Sequence, residues 1–215
     1  MAFYIDSADR STVERLWASG VFAGVTTNPT ILSRAGLSQR DLPEIYKWLS
    51  ELGVPVIFMQ VLGTGVQEMT SSAAWLRSLG PVVVKVPSTS AGLRVARDLV
   101  DDGCPVLVTA VYHPVQAILA RDVGADWVAP YVGRMSDAGR AGVDSVVQMQ
   151  QAIGGGRTRI LAASLRSADQ VAELAAAGVP HFTVGEAVAA QMLEDELTEV
   201  AVTEFEKAGG RAAVR

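Results

Sequence analysis

The chain has 215 residues, of which 49% are hydrophobic and 19% charged, with a net charge of −5 and a pI near 5.1. That balance fits one large domain over residues 1–215 with a sizeable apolar core. Lys and Arg form neither a cluster nor a basic helix face, which argues against nucleic acid and acidic membrane surfaces as partners.

The N-terminus opens directly on a strand pattern over 2–6, with no basic stretch leading into an apolar run. No signal peptide is expected, and the cytosol is the expected location. A helix pattern covers 8–19, then a strand 24–27, a helix 42–52 and a strand 56–61. Helix 65–79, strand 82–86, helix 91–102 and strand 106–109 follow. The second half continues with helix 114–123, strand 127–131, helix 141–153, strand 159–164, helix 168–176, strand 182–185 and helix 188–193. Ser88 or Thr89 can cap the fourth of these helices, and Gly103 stands at its end; Gly53, Gly80, Gly124 and Gly178 close others. No apolar run approaches the ~20 residues of a membrane span. The single Cys104 rules out an intramolecular disulfide and fits a reducing compartment.

Eight strands alternating with eight helices predict an α/β fold, a (β/α)8 barrel. The strands are apolar on both faces, as a covered parallel barrel requires. The competing architecture is an open doubly wound sheet, but no GxGxxG follows the first strand. An additional acidic C-terminal helix is expected over about 194–208. Its Leu197, Val200 and Phe205 make an apolar stripe for a neighbouring subunit or for the chain's own barrel.

Barrels of this kind carry their chemistry at the C-terminal strand ends. Asp6, Thr26 with Asn28, Gln60, Lys85, Thr109, Tyr131 with Arg134, and Ser164 with Arg166 occupy seven of those ends; the eighth strand stops at Gly185 with no evident catalytic group. Each has a plain structural reading too. Asp6 can cap the first helix, Asn28-Pro29 can start a turn or a helix, Gln60, Thr109 and Tyr131 can be satisfied core residues, and Arg134 and Arg166 solvated charges. His113 and His181 lack partners at metal-ligand spacing, so no metal site is expected. Met59, Met69 and Cys104 read as core filler.

Lys85 resists a plain reading. The chain has 15 Arg and only three Lys, and this one sits inside Val83-Val84-Lys85-Val86-Pro87. Burial disfavours the ammonium form and turns lysine into a nucleophile able to form a Schiff base. The alternative is a buried ion pair, with Asp6 the candidate partner.

At these same residues the sequence resembles the transaldolase family. The resemblance rests on Gly24-Val25-Thr26-Thr27-Asn28-Pro29-Thr30, Val83-Val84-Lys85-Val86-Pro87, Ala129-Pro130-Tyr131-Val132-Gly133-Arg134 and Leu161-Ala162-Ala163-Ser164. It runs over essentially the whole chain and points to the family's small branch, which includes fructose 6-phosphate aldolase and the short transaldolases. It implies a barrel with a Schiff-base Lys85, no metal or organic cofactor, sugar phosphate and small aldehyde or ketose substrates, and ring-shaped homo-oligomers, pentamers or decamers, whose C-terminal helix reaches a neighbour. It also implies roles. Asp6 moves the proton of the carbon–carbon step, while Gln60, Thr109 and Tyr131 hold a water. Thr26 and Asn28 hold donor hydroxyls, and Arg134, Ser164 and Arg166 hold an acceptor phosphate. Gln60, Leu107, Ala129 and Tyr131 look like the aldolase side of the branch; Met135–Arg140 and Val184–Glu186 depart from its pattern. Aldolase activity is therefore expected, with dihydroxyacetone transfer between sugar phosphates as the alternative.

Overall fold

The computed structural model describes residues 1–209. Eight parallel strands close into a barrel in chain order: β1 (Ala2–Asp6), β2 (Phe22–Thr26), β3 (Ile57–Gln60), β4 (Val83–Pro87), β5 (Val106–Val111), β6 (Trp127–Pro130), β7 (Arg159–Ala162) and β8 (His181–Val184). The surrounding helices are α1 (Arg10–Trp17), α2 (Pro29–Arg34), α3 (Leu42–Glu51), α4 (Val66–Leu79), α5 (Ser90–Asp101), α6 (Pro114–Asp122), α7 (Val132–Asp137), α8 (Gly142–Ile153), α9 (Ala168–Ala176), α10 (Glu186–Leu193) and α11 (Glu196–Ala208). The alternation seen in the sequence is thus a (β/α)8 barrel, with an additional helix after the eighth unit. No helix of the described residues is long and apolar enough to cross a membrane.

Period-two alternation splits the apolar residues into two cores. Ile5, Val25, Val84, Val86, Val108, Val128, Ile160 and Phe182 belong to the outer core between strands and helices. Tyr4, Phe58, Val83, Leu107, Ala129 and Leu161 form a separate cluster inside the barrel. Tyr4 meets Phe58 edge-on with centroids 5.3 Å apart, and Phe58 meets Trp127 likewise at 5.3 Å. One period further along their strands stand Asp6, Gln60, Lys85, Thr109, Tyr131 and Ala163. The same inward face therefore rises from a floor of rings and aliphatics to a rim of polar groups.

Local chemistry fixes the helix ends. Asp9 Oδ1 accepts from Thr12 N at 2.8 Å and caps α1, so the capping reading of Asp6 fails. Thr89 caps α5 through Gly92 N at 3.0 Å, and Gly103, with φ +73, ends that segment in the left-handed conformation.

Two βα connections expected as loops are helical. α2 forms because Asn28 Oδ1 accepts from Ile31 N at 3.0 Å and Pro29 takes the first helical position. α7 forms where Val132 N and Gly133 N donate to the carbonyls of Ala163 and Ser164 at 3.0 and 2.8 Å. A Cβ at Gly133 would collide with that Ser164 carbonyl, so glycine permits this close approach. Both helices are only six residues long, too short for a clear periodic signal in sequence. β5 also runs two residues past its expected end, through Ala110 at φ 56.

Candidate active site

Lys85 lies on β4 with 4% of its surface exposed. Its Nζ donates to the Thr27 carbonyl at 2.8 Å. Among the described residues it forms no ion pair. Burial brings its pKa from 10.5 down to about 8, while the Asp6 charge pulls the other way. Desolvation thus outweighs attraction, and far more of the amine is neutral near pH 7 than in a solvated lysine.

Asp6, at the end of β1, and Lys85 line one cavity at the C-terminal end of the barrel. Burial raises its pKa, opposed first by Lys85, then by the Thr26 hydrogen bond and by Arg34 and Arg134. Thr26 Oγ1 donates to Asp6 Oδ1 at 2.5 Å and lies 2.6 Å from Thr183 Oγ1. Thr26 is fully buried and is not part of the cavity wall. Its hydroxyl stands behind Asp6, bonded to Asp6 and next to Thr183.

Tyr131 stands across the cavity, its hydroxyl 2.9 Å from Thr109 Oγ1. Burial pushes the phenol pKa up, with the Thr109 bond opposing, so the group keeps its proton. Thr109 is fully buried and meets the cavity only through Tyr131. Gln60 is the register partner of Lys85 on β3, and its carbonyl accepts from Gln39 Nε2 at 3.1 Å. Its side chain is half-buried and does not line the cavity with the others.

Around the mouth, the Arg134 guanidinium lies 4.8 Å over the Tyr131 ring. Arg166 pairs with Asp137 of α7 at 2.7 Å. Ser164 takes φ 58, a strained conformation at the end of β7 that places it in the wall. Asn28 lines the cavity while its Oδ1 caps α2, so the structural and functional readings of that residue coexist.

The structure therefore brings Asp6, Asn28, Lys85, Tyr131, Arg134, Ser164 and Arg166 to one cavity and sets Thr26, Gln60 and Thr109 behind or beside it. Sequence reading missed Thr183 and Arg34, both in the wall. Period two would have found Thr183, since it shares the inward face with Gly185. Arg34 carried no signal, because its position depends on α2.

The chain matches the model of the family described as transaldolase/fructose-6-phosphate aldolase over residues 3–213. A protein of Desulfitobacterium hafniense named probable transaldolase is 33% identical over 208 residues, covering 95% of this chain and 96% of the relative. Probable transaldolases of Rhodospirillum centenum and Bacillus cereus are each 34% identical, covering 95% of this chain and 89% and 95% of theirs. Among solved structures, mandelate oxidase with benzoyl-formic acid aligns with a TM-score of 0.61 at 15% identity, covering 88% of this chain. The chain spans 65% of that protein's length, and the likeness is one of fold alone. The sequence match, the barrel and the cavity agree: this chain belongs to the transaldolase/fructose-6-phosphate aldolase family and has the aldolase or transaldolase type of activity.

Proposed function

We propose that the protein is a Schiff-base aldolase that cleaves and forms the C3–C4 bond of ketoses carrying a dihydroxyacetone unit. The observation that carries this reading is Lys85: buried, unpaired with any carboxylate, and lowered to about 8. Its neutral amine attacks the C2 carbonyl to give a carbinolamine, which loses water to an iminium. Asp6 takes the proton of the C4 hydroxyl, the C3–C4 electron pair moves into the iminium, and an enamine and an aldehyde result. Tyr131, backed by Thr109, holds the water for carbinolamine formation and breakdown, with Gln60 next to Lys85 in register. A proton delivered to C3 and hydrolysis of the iminium then free dihydroxyacetone and Lys85. Asn28 holds a donor hydroxyl. Arg134, Ser164 and Arg166 receive an acceptor phosphate, and Arg166 exchanges its Asp137 partner for it.

Retention of the enamine for a second aldehyde would make the enzyme a transaldolase, a reading favoured by the printed names of the relatives. The aldolase reading is supported by Gln60, Leu107, Ala129 and Tyr131, which resemble that side of the family. Incubation with fructose 6-phosphate separates the two. Free dihydroxyacetone supports the aldolase; dihydroxyacetone transferred to erythrose 4-phosphate without release overturns it. Borohydride trapping with dihydroxyacetone followed by mass spectrometry tests Lys85, and absence of an adduct there removes the Schiff-base reading.

The protein is further proposed to assemble as a homo-oligomer through α11. That helix buries none of its residues, and Leu197 and Phe205 are 79% and 69% exposed.

A further inference from the structure

The hydroxyls of Thr183 on β8 and Thr26 on β2 form a chain that ends on Asp6. Thr183 Oγ1 lies 2.6 Å from Thr26 Oγ1, which lies 2.5 Å from Asp6 Oδ1. An ionised carboxylate can only accept, and a threonine hydroxyl has one proton. When Asp6 is ionised, Thr26 therefore donates to it, and Thr183 donates to Thr26. Thr183 lines the cavity, whereas Thr26 does not. With its proton committed inward, Thr183 presents only lone pairs to the cavity.

We propose that Thr183 and Thr26 form a hydroxyl relay through which Asp6 withdraws a proton from a substrate hydroxyl or a water seated against β8. The inference rests on the reading of Asp6 as the base. In the forward direction the bound O–H bond breaks and its proton joins Thr183 Oγ1. The proton Thr183 held passes to Thr26, and that of Thr26 passes to Asp6. Each threonine ends with one proton, the bound oxygen keeps the electron pair, and Asp6 becomes neutral. Both hydroxyls now point the other way, so Thr183 offers its proton to the cavity and the return step runs the same path. The relay thus recognises a group that carries an O–H at this wall and rejects one that can only accept.

The charges around Asp6 suit it to this cycle. Lys85 from β4, Arg34 from α2 and Arg134 from α7 favour its ionised form, burial favours the neutral one, and Tyr131 faces it from between β6 and α7. Thr183 is 2% exposed and Thr26 fully buried, so bulk water does not short-circuit the path.

The test uses the full chain with Thr183→Val, Thr183→Ser and the pair Thr26→Val/Thr183→Val. kcat is followed against pH and in mixtures of light and heavy water. Thr183→Val is expected to lower kcat by up to about tenfold, the effect of one hydrogen bond between neutral groups. It should move the acid limb to higher pH, because Thr26 becomes a weaker donor to Asp6. It should also turn a curved proton inventory, several protons moving together, into a linear one. Thr183→Ser should restore both. Wild-type pH limb and inventory in Thr183→Val, or Thr183→Ser as impaired as Val, overturns the relay. If Thr183→Val does not fold, the double variant leaves no orphaned hydroxyl, and a curved inventory in it overturns the relay equally. Asp6→Asn distinguishes the two failures. Full activity in Asp6→Asn removes the base itself, whereas an inactive Asp6→Asn beside a wild-type-like Thr183→Val removes only the relay.

Discussion

Lys85 Nζ donates to the carbonyl of Thr27 at 2.8 Å, and not to the carboxylate of Asp6. The choice of partner matters. A carbonyl accepts from an amine in either protonation state, while a carboxylate in contact would hold the ammonium form. The Thr27 carbonyl thus orients the Lys85 amine without holding it in the ammonium form.

Replacing Lys85 by Met is expected to abolish turnover and borohydride trapping, yet to stabilise the fold at pH 7. The buried lysine has a folded pKa of about 8 against 10.5. The unfolded chain binds more protons between those values, so wild-type stability rises with pH across the window and carries the full burial penalty below it. That penalty is ~3 kcal/mol, of which the orphaned Thr27 carbonyl returns ~1 kcal/mol. Urea unfolding of both proteins at pH 7 and pH 10 checks this; a gain that does not shrink at high pH contradicts the assigned shift.

Tyr131→Phe keeps the ring beneath Arg134 but removes the hydroxyl bonded to Thr109. kcat should fall by about a hundredfold, the low end for a proton-transfer group. KM should change little, because the ring and the rim remain. Steady-state kinetics decides the point, and an unchanged kcat would assign water handling elsewhere.

His181 opens β8 at the barrel floor, 8% exposed, with Nδ1 lacking a hydrogen-bond partner. Burial, and then Arg159 and the N-terminal ammonium, bring its pKa from 6.5 down to about 4. The unfolded chain therefore takes up a proton that the folded one refuses between those values. Stability should fall as pH drops from 6.5 towards 4, by up to ~3 kcal/mol. Denaturant titrations of wild type and His181→Leu at pH 7 and pH 4.5 measure it. An equal acid loss in the variant would place the sensitivity in another group.

If α11 carries the proposed assembly, Leu197→Asp combined with Phe205→Asp should give smaller species in analytical ultracentrifugation, without unfolding the barrel, since neither side chain is buried in it. Unchanged sedimentation would dissociate α11 from assembly.

The order of apolar runs and polar residues along the chain was enough to point to the barrel and to Lys85 as the candidate nucleophile. Eight β-branched runs alternating with helix patterns leave few packings, and a lysine among valines has few uses. Asp6, Asn28, Tyr131, Arg134, Ser164 and Arg166 were legible because barrel chemistry gathers at strand ends, whatever the distance along the chain. Which polar groups reach the cavity and which stand behind them follows only from how the strands close. Thr26 and Thr183 lie 157 residues apart and look alike in sequence. Only closure of β8 onto β1 brings them together and makes one a support for Asp6 and the other part of the wall. The six-residue helices α2 and α7 were equally hidden, because one capping side chain and two backbone bonds to a distant strand hold them, not periodicity. The balance at Lys85 also belongs to the fold. Sequence names the lysine and the aspartate, but the depth of burial and the distance between them set which effect wins.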